Sequence, residues 1–194
     1  MIAGFAPIAR ADARVLILGT MPSRRSFEAG QYYAHQRNAF WPIVERLFAR
    51  DATPDNVGPG VAGLDYEARV ALLLEAQVAL WDVLRAAERP GSLDADISAP
   101  VANDFAAFFA RHPAVRTVFF NGTTARALWV RHVAPALPAG LEARDAASAL
   151  LAGLDLGLVT LPSTSPANAA LGFAGKLAAW RVVRDTVADG RGAR

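Results

Sequence analysis

The sequence predicts an α/β fold, a parallel sheet sandwiched by helices, and three observations predict it. Four short runs of apolar and β-branched residues have the length of strands. Stretches with helical spacing alternate with them, the pattern of strand, crossover helix and next parallel strand. Three of the four runs then end in clusters of Gly, Asn, Ser and Thr.

The first run is "VLILG", Val15 to Gly19, and its unbroken apolar character is that of a strand buried on both faces. "VALWDV" from Val78, "TVFFNG" from Thr117 and "LGLVTLP" from Leu156 repeat the pattern. Between them, "AFWPIVERLF" puts Phe40, Ile43, Val44 and Leu47 on one helical face, and "YEARVALLLEA" follows Leu64 and Asp65. "NDFAAFFARH" starts at a cap pair, Asn103 and Asp104, while "TTARALWVRHV" and "FAGKLAAWRVVRDTV" supply two more helices. Two Pro- and Gly-rich segments read as loops. They are Arg50 to Gly63 and "APALPAGLEARDAASALLAG" from Ala134, the latter with a short helix after its break. "DGRGAR" from Asp189 is expected to fray. No composition boundary divides the chain, so residues 1–194 are expected to form one domain.

Composition narrows the chemistry. At 53% hydrophobic and 20% charged, the chain can bury an ordinary core. Cysteine is absent, which excludes disulfides, thiolate nucleophiles and Cys-held zinc or iron–sulfur clusters. No export signal or membrane-spanning run is visible, so a cytoplasmic protein without membrane contacts is expected. The formal charge of +2 with a pI near 9.5 is a mild basic bias, too weak alone to imply nucleic acid. The three His (His35, His112, His132) show no ligand spacing with carboxylates, and neither a P-loop nor a G-x-S-x-G elbow occurs. Neither a metal nor a cofactor is expected.

In an open parallel sheet, ligands bind beyond the carboxyl ends of the strands. Here those ends run into "GTMPSRRS", "NGTT" and "LPSTSPAN", whose hydroxyls and backbone N–H groups suit phosphate oxygens. Each position has a plainer reading. Ser163 or Ser165 would cap a helix, Asn121-Gly122 would make a turn, Asn38 would cap the helix carrying Phe40, and Tyr32, Tyr33 and Trp41 would be core rings.

"LILGTMPS", "YYAHQRNAFW", "FFNG" and "LPSTSPAN", in that order, resemble the motifs of the uracil-DNA glycosylase superfamily and its hypoxanthine-DNA glycosylase branch most of all. The resemblance runs from about Gly4 to Trp180. It implies a four-stranded parallel sheet in an α/β/α sandwich, and a monomeric enzyme that removes a deaminated base, hypoxanthine first, from damaged DNA. A uracil or mismatch glycosylase and a catalytically silent DNA-binding relative are the alternatives. Met21 stands where the uracil- and mismatch-specific branches carry Asp or Asn, and Leu161 where the uracil-specific branch carries His. The resemblance therefore implies water activation by Asn38 and base holding by Asn121. Tyr33, with Gly19, Thr20, Met21 and Phe40, would surround the base. Ser23, Ser26, Ser163, Thr164 and Ser165 would meet the DNA backbone, with Arg24, Arg25 and Arg37 as charge partners. Lys176, the sole lysine, is placed a helical turn or more beyond the last motif, so an intact abasic site is the expected product.

Overall fold

The computed structural model describes residues 2–50, 63–88, 97–136, 142–143, 149–151 and 154–192. Most of the Arg50–Gly63 loop therefore lies outside the described residues. The chain runs β1 (Ile2–Ala3), β2 (Val15–Gly19), α1 (Arg24–Ala29), α2 (Phe40–Phe48), α3 (Tyr66–Glu75), β3 (Val78–Asp82), β4 (Leu84–Glu88) and β5 (Ser98–Ala102). It continues through α4 (Phe105–Arg111), β6 (Thr117–Asn121), α5 (Thr123–His132), a 3-10 turn at Ala134–Ala136, β7 (Glu142–Ala143), β8 (Ala149–Leu151), β9 (Leu154–Leu161) and α6 (Phe173–Gly192).

The four apolar runs form the parallel core of the sheet, in the order β3-β2-β6-β9. Alternation along each strand builds two cores. Leu16, Leu18, Trp81, Val118 and Phe120 face Phe105, Phe108 and Trp129 of α4 and α5. Val15, Ile17, Leu80 and Phe119 face Phe40, Ile43, Leu73, Trp180 and Val183 of α2, α3 and α6. With both faces covered, an apolar residue is needed at nearly every strand position, which is why these strands read as unbroken runs. Each buried Leu or Phe contributes roughly 1.5–3 kcal/mol.

Helix ends follow their sequence signals. Asp65 accepts from Ala68 N at 2.8 Å and Asp104 from Ala107 N at 2.9 Å, each as an N-cap. Asn103, the other half of the expected cap pair, instead donates Nδ2 to the carbonyl of Asp82 at 2.8 Å.

Three features depart from the sequence reading. The run at "VALWDV" ends as a sheet strand at Asp82, and the chain re-enters as β4 of a small antiparallel sheet, β1-β4-β5. The short helix expected after Ala134 is replaced, in its described residues, by β7 and β8, which extend the sheet antiparallel along β9. The open edge of an eight-residue strand offers a row of backbone partners that outweighs local helix propensity. Finally, α6 continues to Gly192, into the segment expected to fray.

Candidate active site

All four parallel strands end at one cavity of about 600 Å³, and this register brings the motif loops together. Gly19 pairs with Asp82 across β2 and β3, and Asn121 pairs with Leu161 across β6 and β9. The wall comprises Gly19 to Ser23, Ser26, Tyr32, Tyr33, His35, Asn38, Asp82, Asn121 to Thr124, Leu161 to Ser165, Ala167 and Asn168.

Asn121 is the best-tied polar group. Its Oδ1 accepts from the backbone N–H of Thr164 at 2.8 Å, which fixes the amide orientation because that donor is unambiguous. Its Nδ2 then donates to Thr164 Oγ1 at 2.8 Å and to the Tyr33 hydroxyl at 3.0 Å. Gly122 follows with φ of 100°, and a methyl built there would stand 2.9 Å from Ser163 Cβ. Only glycine lets the β6 and β9 loops approach so closely. We expect Asn121→Ala to orphan the buried Thr164 N–H and to cost about 1–3 kcal/mol in a denaturant melt, with Asn121→Asp recovering part of it through the retained acceptor.

The rings of the Tyr-rich loop divide into scaffold and wall. Trp41 Nε1 donates to the Tyr32 carbonyl at 2.7 Å, Tyr32 N to the Tyr66 hydroxyl at 3.1 Å, and the Tyr32 hydroxyl to the Ala6 carbonyl at 3.1 Å. Burial above all, and then the charge of nearby Asp82, push the Tyr32 phenol far above its ordinary pKa, so it stays protonated. Tyr33 is held with φ of 53°, in the left-handed region. Its ring stacks on Phe40 with centroids 4.0 Å apart, and its hydroxyl reaches the Asn121 amide. Phe40 itself is fully buried beneath Tyr33 and does not line the cavity.

Asn38 lines the cavity and also serves α2. Its Oδ1 accepts from Phe40 N at 2.9 Å, leaving Nδ2 and a second lone pair. Ser23 caps α1 by accepting from Ser26 N at 3.2 Å. The Ser26 hydroxyl is buried against Ser23 at 3.1 Å. Thr164 is fully buried, so its hydroxyl serves Asn121 and the loop, away from solvent. Ser163 and Ser165 line the cavity while accepting from Ser165 N and Ala167 N, both at 3.2 Å. Arg24 and Arg25 are exposed and pair with Glu28 at 3.0 and 3.9 Å, and Arg37, also exposed, is outside the cavity wall.

The structure adds residues that sequence reasoning passed over. Asp82 is 3% exposed and closes the wall beside Gly19. His35 also lines the cavity, and its Nδ1 accepts from Arg37 N at 3.1 Å. Lys176 sits closer to the last motif than its sequence position implied. It is buried, its Nζ donates to the Ser165 carbonyl at 3.1 Å, and burial lowers its pKa from the usual lysine value. Trp180, four residues on, donates to the Pro162 carbonyl at 2.9 Å, and Ala39 N to the Thr164 carbonyl at 3.0 Å. The 162–168 loop is therefore held from below by α6 and the start of α2.

Comparison with known proteins gives the chain a family and a fold. The family model described as the Uracil DNA glycosylase superfamily matches residues 6–184. A protein of Methanosarcina acetivorans named hypoxanthine DNA glycosylase is 32% identical over 122 residues, covering 63% of this chain and 72% of that protein. Its namesake in Methanosarcina barkeri is 30% identical over 119 residues, 61% and 70% of the two chains. The solution NMR structure of a candidate uracil DNA glycosylase from Methanosarcina acetivorans superposes with a TM-score of 0.70 at 26% identity, over 96% of this chain and 98% of that one.

Proposed function

The chain belongs to the uracil DNA glycosylase superfamily, and from that membership we propose that its cavity receives a deaminated base flipped out of DNA, hypoxanthine foremost, and that the protein hydrolyses the N-glycosidic bond. The observation that carries this reading is the composition of the wall. Amides and hydroxyls line it beside an aromatic ring, while Met21 and Leu161 fill the positions where a carboxylate and an imidazole would serve a uracil-specific relative.

Cleavage of such a bond passes through an oxocarbenium-like state, with positive charge growing on the sugar and negative charge on the base. A transition state this loose requires positioned dipoles more than a strong base. Asn38, with Nδ2 and a lone pair of Oδ1 to spare, orients the attacking water. Asn121 donates from Nδ2 to the departing base, which takes the place the Tyr33 hydroxyl holds on that amide. Extruding the base costs a few kcal/mol, and stacking on a ring such as Tyr33 returns roughly 1–3 kcal/mol. Ser23, Ser163 and Ser165 at the rim meet the DNA backbone, with Arg24, Arg25 and Arg37 outside it. The loop tip at Pro166 and Ala167 sits where the resemblance places a side chain that wedges into the duplex; both residues are small, and Leu171, 42% exposed and three residues past the last cavity residue, has the apolar bulk they lack. Residues 1–194 act as a single monomeric domain in the cytoplasm, with water as the only co-reactant.

The test is base release from otherwise identical duplexes carrying inosine, uracil or xanthine, read after alkaline cleavage of abasic sites. Release from inosine is expected first, and failure on all three refutes the reading.

The product is expected to be an intact abasic strand. A Schiff-base mechanism needs an amine in contact with the sugar. Lys176 Nζ is tied to the Ser165 carbonyl, and Lys176 is not part of the cavity wall. Borohydride trapping should give no covalent protein–DNA adduct, and strands run without alkali should stay whole. An adduct, or cleavage in the untreated lane, would overturn attack by water.

A further inference from the structure

We infer that the Tyr33 hydroxyl is a built-in occupant of the base's place on Asn121, leaving when a base flips in and returning when the freed base departs. The inference rests on the glycosylase reading and adds to it what clears the site after cleavage.

An Asn side chain carries two amide hydrogens, and in Asn121 both are taken. Nδ2 donates to Thr164 Oγ1 at 2.8 Å and to the Tyr33 hydroxyl at 3.0 Å. Oδ1, which holds Thr164 N–H at 2.8 Å, keeps a second lone pair, so the amide can take one more donor but can serve no further acceptor. A base that accepts from Nδ2 must therefore displace one of the two oxygens already there.

The two oxygens are not equally tied. Thr164 is fully buried, its N–H donates to Asn121 Oδ1, and its carbonyl accepts from Ala39 N at 3.0 Å, so moving it would take the 162–168 loop along. Tyr33 is partly exposed in the cavity wall. Its main chain is held at both neighbours, by Trp41 Nε1 on the Tyr32 carbonyl at 2.7 Å and by Ala34 N on Ser26 Oγ at 3.4 Å. The ring is what can move. It lies over Phe40 with centroids 4.0 Å and planes 20° apart, nearer to a face-to-face stack than to the offset arrangement that rings prefer, so a slide keeps the contact. The hydroxyl also stands over the strand ends that floor the cavity, since a methyl built on Gly19 would lie 2.8 Å from it.

This arrangement fixes the direction of the effect. While the base is joined to DNA, the contacts of the whole duplex hold it in the hydroxyl's place. Once water has broken the N-glycosidic bond that tether is gone, and the base is held by its own contacts alone. The Tyr33 hydroxyl, part of the same chain as Asn121, competes at a high effective concentration and retakes Nδ2. An abasic strand brings no base and leaves the Tyr33–Asn121 bond undisturbed. Removing the hydroxyl while keeping the ring should therefore strengthen base binding, the opposite of what loss of a supporting hydrogen bond does.

The test compares wild type with Tyr33→Phe. Dissociation constants are measured for duplexes carrying 2′-fluoro-deoxyinosine, which resists cleavage, or a tetrahydrofuran abasic site, and free hypoxanthine is titrated as an inhibitor of single-turnover release from inosine. In Tyr33→Phe the preference for the inosine analogue over the abasic duplex should rise about 3- to 10-fold, the worth of one neutral hydrogen bond, and half-inhibition should need less hypoxanthine by a similar factor. Neither quantity depends on how much of the variant is folded. A preference that falls or stays level, as for a hydroxyl that props the wall or takes no part, overturns the inference, and so does inhibition by hypoxanthine no stronger than in wild type. Absence of base release by wild type from inosine, uracil and xanthine duplexes would instead refute the glycosylase reading, whatever the binding ratios.

Discussion

Asn38→Ala should lower single-turnover base release by about 10²- to 10³-fold, the usual effect of removing one preorganised polar group at a reacting centre. The same side chain caps α2 through Phe40 N, so a stability loss of about 1 kcal/mol is expected alongside. The two effects separate by chemistry. Asn38→Asp keeps an oxygen for the Phe40 N–H and should restore stability, yet it lacks the amide N–H and places a charge where none stood. Its rate should remain low. Rates normalised to folded protein, set beside thermal melts of both variants, decide the matter. If Asn38→Ala loses only stability and each folded molecule still turns over normally, Asn38 is a cap and water activation lies elsewhere.

Gly19→Ala should be the most damaging change that adds a single methyl. The new carbon would lie 2.8 Å from the Tyr33 hydroxyl and closer to Asp82 Oδ1. Asp82 is 3% exposed, so its carboxylate can turn only against close-packed neighbours. Tyr33 would be displaced as well, its hydroxyl leaving Asn121 and its ring tilting off Phe40. Overpacking of this kind costs about 1–3 kcal/mol. Displacement of the wall by an ångström costs on the order of 100-fold in rate. Thermal unfolding and single-turnover release on inosine duplex measure the two. A variant with wild-type turnover would show that the base does not lie over Gly19.

Fold and site were legible to different depths. The four parallel strands could be read because burial on both faces leaves no room for polar alternation, and the helices because each shows one apolar face. The β7 and β8 segments were not, since their conformation follows from the open edge of β9 rather than from their own propensity. Within the site, Asn121, Tyr33 and Asn38 stood out by composition and motif. Asp82 did not, being one residue inside an apolar run, although a carboxylate ending an otherwise unbroken strand is itself a signal. Lys176 and Trp180 were visible as i and i+4 on one helical face, but nothing local indicates that the face meets loop carbonyls at Ser165 and Pro162. Phe40 carried the opposite lesson. A ring inside a motif became the support for another ring.

The cavity floor is made from positions 19, 82, 121 and 161, four places far apart along the chain and joined only by parallel pairing. Each pairing closes a long loop before any contact rewards it, and parallel sheets are slow to form for that reason. No hairpin or single crossover unit of this chain contains more than two of the four floor positions. A fragment made of one such unit thus holds at most half of the floor. Only the pairing of β9 with β6 sets Leu161 beside Asn121 and lets the 162–168 loop meet the Asn121 amide at Thr164.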